Sequence, residues 1–209
     1  MPSNYSKFRY FYPPRTENKI FISSAKSLEN TWIAQGKMDG SCIEIYINED
    51  VKVYNRHKTF FTKFKIEKSE ILNLNKYNNW MVLCGEYMDK AKKHQDGKLC
   101  NNKFVIWDII VYNNQYLVDT TFEERIKLLD ELFGVKDFDE YLYKISENVY
   151  RVKSFDSDFE KIFNKITKID MFEGLVLKKK NGKLERGIRE KNNTTIQCKV
   201  RRANANYQI

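Results

Sequence analysis

The chain has 209 residues, and its 14 Phe, 13 Tyr and 3 Trp residues supply enough apolar volume for a packed core. This length predicts one domain over residues 1–209. No apolar run is long enough to cross a membrane, and the N-terminus lacks the apolar core of a signal peptide. The four cysteines are scattered without Cys-x-x-Cys spacing, which argues against a disulfide framework and a cysteine zinc site.

The net charge of +9 indicates a polyanionic partner, and nucleic acid is a better candidate than a membrane surface. A surface charged only for solubility is the alternative, and charge alone does not separate the two. We expect a monomer in the cytoplasm, or in the host cytoplasm if the source is viral. A short chain with a composition rich in lysine and asparagine would suit a viral source.

The first predicted strands, residues 31–34 and 42–47, flank a segment that contains Lys37, Asp39 and Gly40. A lysine between two strands, beside an acid and a glycine, can lie at the floor of a pocket. Its amine becomes a nucleophile when cations, a metal or burial lower its pKa. A polar surface connection is the alternative reading of the same residues.

A predicted turn at residues 48–50 leads into a strand over residues 51–54, followed by the basic cluster 55–58. A hairpin could fold this cluster back toward Lys37, or it could be a solvated loop end. Residues 68–77 predict a short helix and residues 80–84 a buried strand that ends before Glu86. Residues 89–102 read as a charged loop.

The strongest predicted strand covers residues 103–112, and Asp108 within it requires a partner because an isolated buried charge is costly. Thr121 caps a helix that ends at Gly134, and Ser157 begins another. Further strands are predicted over residues 149–155, 173–178 and 195–202, with a tight hairpin at Asn181-Gly182. Strands and hairpins without regular β-α-β alternation indicate an α+β fold with a mostly antiparallel sheet.

Six short motifs follow one another along the chain. They are Lys37-x-Asp39-Gly40, Asn55-Arg56, Gly85-Glu86, Trp107-Asp108, Glu173-Gly174-x-Val176-x-Lys178 and Lys199-x-Arg201. Together they resemble the covalent nucleotidyltransferase superfamily of ATP-dependent polynucleotide ligases and mRNA capping enzymes. The resemblance implies an antiparallel-sheet adenylation core, similar to ATP-grasp folds, with flanking helices. The short chain end after Arg201 leads us to expect no C-terminal OB domain.

The same resemblance implies a role for each motif residue in a reaction with ATP. Lys37 would attack the α-phosphate and carry AMP. Glu173 and Asp108 would serve a Mg²⁺ or Mn²⁺ ion, although Asp108 could instead only orient its neighbours. The remaining residues would bind the nucleotide: Gln35 at the adenine amine, Trp107 stacked on the base, Glu86 on the ribose, Arg56 on sugar or phosphate, and Lys199 and Arg201 on the α-phosphate. For Trp107, a place in the apolar core is the alternative.

The polymer substrate stays open at this level. Cys42, after Ser41, stands where capping enzymes and DNA ligases usually carry an arginine, which favours an RNA ligase. Gln35 is placed like the adenine-reading residue of DNA ligases, so a DNA ligase is the alternative, followed by a capping guanylyltransferase. A nucleic-acid-binding domain that has lost catalysis is a further alternative. Lysines within residues 90–103, and lysines with Arg186 and Arg189 within residues 178–191, form the predicted polymer-binding surfaces.

Overall fold

Two β-sheets form the framework of the molecule, and the chain crosses from one to the other beside Lys37. The computed structural model describes residues 19–77, 79–184 and 196–202. In chain order the strands are β1 (Trp32–Met38), β2 (Ser41–Ile47), β3 (Val51–Asn55), β4 (Met81–Met88), β5 (Lys92–Lys93), β6 (Leu99–Cys100), β7 (Lys103–Tyr112), β8 (Gln115–Tyr116), β9 (Leu142–Lys144), β10 (Val149–Val152), β11 (Ser154–Phe155), β12 (Phe172–Lys179) and β13 (Gln197–Arg201). The helices are α1 (Ile22–Ala25), α2 (Lys68–Leu72), α3 (Phe122–Phe133) and α4 (Phe159–Ile166).

The smaller sheet has four strands in the order β11-β1-β12-β13, all antiparallel. The larger sheet has seven strands, with the order β3-β2-β4-β7-β10-β9 and β8 paired to β7. Only the β7–β10 pairing is parallel among the described strands. Strands β5 and β6 form a separate two-stranded hairpin. The predicted α+β fold with mostly antiparallel sheet is therefore confirmed.

Each sheet has its own apolar face. In β1, Ala34 and Met38 lie in a core shared with Leu175 and Leu177 of β12, and α4 contributes to that core. In the larger sheet, alternate residues of β2 join a second core that includes Leu129 of α3. Alternation along each strand leaves the opposite faces of β1 and β12 available for polar side chains.

Helix α3 shows how closely its termini follow the sequence. The Thr121 side chain accepts from the Glu124 N–H, and the Glu124 side chain accepts from the Thr121 N–H, which completes a capping box. Gly134 ends the helix with a φ of 70°, a backbone conformation that favours glycine. The predicted start and stop of this helix are both confirmed.

Several predicted boundaries differ from the structure. Helix α2 ends at Leu72 rather than near residue 77, and β4 continues to Met88, so Glu86 lies inside a strand. The segment 89–102 contains the β5–β6 hairpin, and β9 was not predicted. Residues 149–155 do not form one strand. The pairing breaks at Lys153, so β10 belongs to the larger sheet and β11 to the smaller one.

The predicted turn at Asn181-Gly182 is present, since the Gly182 N–H donates to the Lys179 carbonyl at 2.9 Å, but the predicted tight hairpin is wrong. Strands β12 and β13 are antiparallel neighbours, but they are joined through residues 180–196. The chain leaves β12 to run beside the start of α3, where the Phe122 N–H donates to the Gly182 carbonyl and the Leu184 N–H to the Thr120 carbonyl. Backbone pairing with this neighbouring segment replaces a direct turn into β13.

Candidate active site

Lys37 is the next-to-last residue of β1, directly before the chain changes sheets. Strand β1 belongs to the smaller sheet and β2 to the larger one, so the two strands are not hairpin partners. The crossing needs Gly40, because a Cβ there would lie 2.5 Å from the Tyr87 carbonyl oxygen. The Gly40 N–H donates to Glu86 Oε1 at 3.2 Å. The lysine thus lies where the two sheets meet.

Strand register brings the predicted nucleophile Lys37 and three predicted nucleotide-binding residues to one face of the smaller sheet. Lys37 is opposite Gly174, which is opposite Arg201, and Gln35 is opposite Val176, which is opposite Lys199. Residues directly opposite one another in a sheet share a face. Gln35, Lys37, Lys199 and Arg201 therefore line one polar face, as the binding of one nucleotide by all four would require.

A β-bulge brings Glu173 to the same face. Lys37 pairs with Gly174, but the next residue of β1, Met38, pairs with Phe172, so Glu173 is the extra residue. Regular alternation would have sent its side chain to the face opposite Lys37. Bulges often redirect a side chain beside an active site.

The bulge allows three charged groups to meet. Lys37 Nζ forms an ion pair with Glu173 Oε1, and Arg201 Nη2 contacts the same oxygen at 3.2 Å. All three side chains are at most about a quarter exposed, with 20% for Lys37, 16% for Glu173 and 23% for Arg201. An ion pair shielded from water in this way interacts more strongly than one on the surface. We refer to these residues as the Lys37 cluster.

Glu86 lies beside the Lys37 cluster on β4. Burial raises the pKa of Glu86 to about 7, and the opposing effects of the Lys37 ammonium and the Gly40 N–H do not cancel it. The negative charge of Glu173 contributes in the same direction as burial. Glu86 therefore titrates near neutral pH, in the range where catalytic and ligand-binding carboxyls are often found.

Asp39 is held by the β5–β6 hairpin. Lys92 Nζ lies 2.9 Å from Asp39 Oδ2 and 3.6 Å from Asp170 Oδ1, and Lys90 Nζ lies 3.4 Å from Asp39 Oδ1. Burial raises the pKa of Asp39, but the two ammonium groups outweigh it and lower the pKa below its ordinary value. The hairpin thus braces the segment that follows Lys37.

Trp107 also lies in a bulge. Cys84 pairs with Asp108 and Gly85 with Ile106, so Trp107 is the unpaired residue of β7. From the smaller sheet, Lys178 Nζ lies 4.4 Å from the centre of the Trp107 ring and 4.4 Å from that of Phe122. Burial lowers the pKa of Lys178 to about 8, with the Asp108 carboxylate opposing the shift. The contact between Lys178 and Trp107 shows that Trp107, on the larger sheet, faces the polar face of the smaller sheet.

Asp108 is fully buried, and its partner is Arg125 of α3. Arg125 Nε donates to Oδ1 at 2.8 Å and Nη2 to Oδ2 at 3.1 Å. Both carboxylate oxygens are therefore engaged, and Oδ1 also accepts the Ile109 N–H. The expected partner is confirmed. This geometry supports the orienting role left open for Asp108 and does not support its predicted role as a metal ligand.

Arg56 is exposed in the turn after β3. Its Nε–H donates to His57 Nε2 at 3.1 Å rather than to the Lys37 cluster. Asn55, the residue before Arg56, pairs with Ile43 in the larger sheet, and Ile43 is six residues after Lys37. The turn that carries Arg56 therefore lies at the end of the larger sheet where β2 begins. The nucleotide-binding role of Arg56 stays a prediction.

Gln35 is buried, with 2% of its surface exposed. Its Nε2 donates to Ser154 Oγ at 3.3 Å, and Ser154 is its register partner on β11. Within the described parts of the chain, Gln35 Oε1 is buried and accepts no hydrogen bond. Lys199, on the same polar face, is only 8% exposed.

Sequence reasoning assigned no role to Ser154 or Arg125, and it assigned Lys92 and Lys178 only to the polymer-binding surfaces. Arg125 had a detectable signal, because it is three residues after Phe122 and four before Leu129 and so falls on the buried side of the helix. Lys178 stood in a quoted motif but was expected on an exposed polymer-binding surface. It is instead 4% exposed, because the polar face to which it belongs is covered by the larger sheet.

Comparison with known proteins gives an independent view of the fold. A family model described as the ATP-dependent DNA ligase domain matches residues 66–196. No curated protein sequence matches the chain. None of the described helices is long and apolar enough to span a membrane.

Solved ligase structures share this fold. A mycobacterial DNA ligase D complexed with ATP and MES has a TM-score of 0.64 and 15% identity, with 94% of this chain and 62% of that chain covered. The ligase domain of M. tuberculosis LigD has a TM-score of 0.62 and 16% identity, with 92% and 60% covered. An archaeal ATP-dependent RNA ligase has a TM-score of 0.56 and 16% identity, with 90% and 47% covered.

This chain spans 62% and 60% of the length of the first two structures. Both DNA and RNA ligases are among the proteins that share the fold. The structures therefore agree with the expected nucleotidyltransferase core without separating the two polymers. Because the family model matches more than half of the sequence, the chain belongs to the ATP-dependent DNA ligase domain family.

Proposed function

We propose that the protein is an ATP-dependent polynucleotide ligase that joins a 5′-phosphate end to a 3′-OH end through a lysyl–AMP intermediate on Lys37. The observation that carries this proposal is the Lys37 cluster, in which a lysine, an acid and an arginine meet on a shielded polar face. A domain that only bound nucleic acid would have no need to hold a lysine amine against a half-buried carboxylate.

In the first step, Lys37 Nζ forms a bond to the α-phosphorus of ATP. The bond from that phosphorus to the bridging oxygen breaks, and pyrophosphate leaves with the electron pair. The ammonium group loses one proton to become a nucleophile and a second as the phosphoramidate forms, and both protons pass to solvent. Arg201 and Lys199, which share the polar face with Lys37, would hold the α-phosphate while its charge is redistributed.

The donor set fits a divalent metal that arrives with the nucleotide. Among the residues that the structure describes, no three His, Cys, Asp or Glu side chains form a complete metal site. Mg²⁺ is usually held by one or two carboxylates together with substrate phosphates and water, and Mn²⁺ accepts the same oxygen ligands. Glu173 would supply that carboxylate. The ion would neutralise charge on the phosphates.

The nucleotide would lie between the two sheets. Trp107 would stack on the base, Glu86 would accept from a ribose hydroxyl, and Arg56 would bind sugar or phosphate. Gln35 would face the base from the polar face of the smaller sheet. Two walls favour this arrangement. Strands β1 and β13 of the smaller sheet carry one set of these residues, and strands β4 and β7 of the larger sheet carry the other.

RNA ends are the favoured substrate, because Cys42 replaces the arginine that DNA ligases and capping enzymes usually carry there. Cys42 pairs with Glu86 in the register of β2 and β4, so the replacement falls beside the proposed ribose site. DNA ends are the second candidate, favoured by the family model that matches the chain. Matched RNA and DNA nicks, offered at equal concentration, distinguish them by initial joining rate.

Self-adenylylation is the direct test. The protein is incubated with labelled ATP, GTP or NAD and divalent metal, then examined by denaturing electrophoresis and intact mass. We expect a mass increase of one AMP with ATP. Lys37→Ala should abolish it, and Lys98→Ala, a control at a side chain that is 84% exposed, should not. Labelling by GTP would indicate a capping enzyme, and no labelling would favour a binding domain.

A further inference from the structure

We infer that Lys92 is a positioning residue for adenylylation, because its ammonium group joins the two chain segments that carry Lys37 and Glu173. The inference rests on the proposed function and deepens it. Lys92 belongs to the β5–β6 hairpin, outside the strands that form the polar face. It acts on the Lys37 cluster through two acids, Asp39 and Asp170. Asp39 is two residues after Lys37, and Asp170 is three residues before Glu173.

The two acids meet at the Lys92 ammonium group. Lys92 Nζ lies 2.9 Å from Asp39 Oδ2 and 3.6 Å from Asp170 Oδ1. The Lys92 side chain is 20% exposed, whereas that of Lys90, which lies 3.4 Å from Asp39, is 60% exposed. Among the ion pairs of the described residues, only those of Lys92 contact both acids. Lys92 is therefore the shielded cation that connects them.

Main-chain hydrogen bonds connect the same segments. The Asp39 N–H donates to the Met171 carbonyl at 3.0 Å, and the Met171 N–H donates to the Lys93 carbonyl at 3.2 Å. The Lys93 N–H donates to Asp170 Oδ2 at 2.9 Å. Asp39 and Met171 lie one residue beyond the last register pair of β1 and β12. The hairpin thus closes the end of this strand pair, next to the bulge that carries Glu173.

Without the Lys92 charge, the two acids would repel each other. Both carboxylates lie within 3.6 Å of one nitrogen atom, so their mutual repulsion is strong unless a cation stands between them. Separation of Asp39 from Asp170 would open the end of the β1–β12 pair and shift Glu173 relative to Lys37. A displacement of about 1 Å can cost a factor of about one hundred in rate. Loss of Lys92 should therefore slow bond formation rather than weaken ATP binding.

The experiment compares wild type with Lys92→Met, Lys92→Arg, Asp170→Asn and the double variant of Lys92→Met with Asp170→Asn. Methionine keeps the apolar stem without the charge, and asparagine can still accept the Lys93 N–H. Single-turnover labelling at saturating ATP and Mg²⁺ gives the rate constant of adenylylation. Calorimetry with α,β-methylene ATP, in which the bond to the leaving oxygen is replaced, gives the dissociation constant.

We expect Lys92→Met to lower the rate constant by about tenfold to one hundredfold, with at most about a twofold change in the dissociation constant. Lys92→Arg should stay within about threefold of wild type, because it restores a cation. Lys68→Met, which removes an exposed ion pair with Asp50, is the matched control and should react like wild type. Adding Asp170→Asn to Lys92→Met should recover most of the rate, since one of the two repelling charges is gone. A packing role for Lys92 would give no such recovery.

Hydrogen exchange without nucleotide tests the same contact independently of the reaction. We expect Lys92→Met to speed exchange of the Asp39 and Met171 amides by about tenfold, and to leave the Ile45 amide of β2 unchanged. The inference is overturned if exchange at Asp39 and Met171 is unchanged, if Lys92→Met reacts at the wild-type rate, or if Asp170→Asn restores nothing. Absence of a Lys37 adduct in wild type would instead contradict the ligase function, and hydrogen exchange would still decide whether Lys92 joins the two segments.

Discussion

Glu86 is a carboxyl group of the site whose charge changes near physiological pH. Burial raises the pKa of Glu86 from 4.5 to about 7 in the folded protein. The folded state therefore holds this proton more tightly than the unfolded chain. The contribution of Glu86 to stability is fully present below pH 4.5 and is lost as the pH rises through about 7.

Glu86→Gln tests this assignment. The variant mimics the protonated form at every pH, so we expect its free energy of unfolding to exceed that of wild type at pH 8. At pH 4.5 the two proteins should differ much less. Urea unfolding at both pH values measures the difference. A gain that is the same at pH 4.5 and pH 8 would show that the Glu86 pKa is not raised.

Glu173 is the second residue whose substitution gives a clear prediction. It carries the one negative charge of the Lys37 cluster and contacts both Lys37 and Arg201. Removing one preorganised charged group from such a site costs a factor of about one hundred or more in rate. We therefore expect Glu173→Ala to lose adenylylation on that scale, as measured by labelling with ATP. Glu160→Ala, at an exposed position on α4, is the control. A folded Glu173→Ala protein at full activity would contradict the proposed role.

At the scale of elements, the proposed catalytic arrangement depends on how closely β12 and β13 approach. Gly174 has a φ of 148°, and a Cβ there would lie 1.9 Å from the Val200 carbonyl oxygen. No small adjustment relieves such an overlap, because the blocking atom belongs to the backbone of the paired strand. An alanine would push β13 away from β12 and carry Arg201 away from Glu173.

We therefore expect Gly174→Ala to lower the melting temperature strongly and to abolish adenylylation. Gly134→Ala is a matched control, since Gly134 also has a positive φ, of 70°, but its Cβ would meet nothing within 4 Å. That change should cost about 1 kcal/mol of stability and leave adenylylation intact. Equal melting temperatures for the two variants would rule out the close strand approach as the cause.

The elements also show which features of the fold the sequence predicts and which it does not. Alternating apolar residues predicted most strands, and Thr121 and Gly134 predicted both ends of α3, because those signals are local. The sheet to which a strand belongs is not a local property. Neighbouring β1 and β2 lie in different sheets, and the β10–β11 segment changes sheet at Lys153. The bulge that turns Glu173 toward Lys37 likewise appears only when two distant strands are paired.

The site residues also divide into those that the sequence predicts and those that only the structure identifies. Lys37, Glu86, Trp107, Glu173, Lys199 and Arg201 could be nominated because they stand in ordered motifs. Ser154 could not, because a serine in a strand carries no signal until its cross-strand partner is known. The role of Asp108 needed its buried partner as well. Residue types predict chemistry here, and only tertiary pairing distinguishes a group that touches a ligand from one that supports it.

At the scale of the whole molecule, the basic surface is smaller than its composition suggests. Lys178 is buried, Lys92 pairs with Asp39 and Asp170, and Lys103 bonds the Glu147 carbonyl and Asn148. Lys90 and Lys98 remain largely exposed, at 60% and 84%. The predicted contacts at Arg186, Arg189 and Lys191 lie outside the described residues. If the protein binds a polymer as proposed, only a subset of the cations is available for its phosphates.

The steps of the proposed reaction should differ in their response to salt. A footprint of about four phosphate contacts would give a slope of log affinity against log salt near −3 on single strands and near −4 on duplex. We expect end-joining to fall steeply between low and moderate salt, whereas adenylylation, which needs no polymer, should change little. Titrating salt while both steps are followed measures this. Equal sensitivity of the two steps would contradict polymer binding through phosphates.

The pairing of β1 has a consequence for a chain emerging from the ribosome. Gln35 and its partner Ser154 are 119 residues apart, and Lys37 and Glu173 are 136 apart. When β1 is synthesised, neither strand that will flank it exists, so both of its edges remain unpaired while more than one hundred residues follow. Such distant pairings form slowly and leave strand edges open to association with other chains. Lys37, the proposed nucleophile, is thus translated before the strands that flank it, and the polar face around it is completed only after β13 emerges.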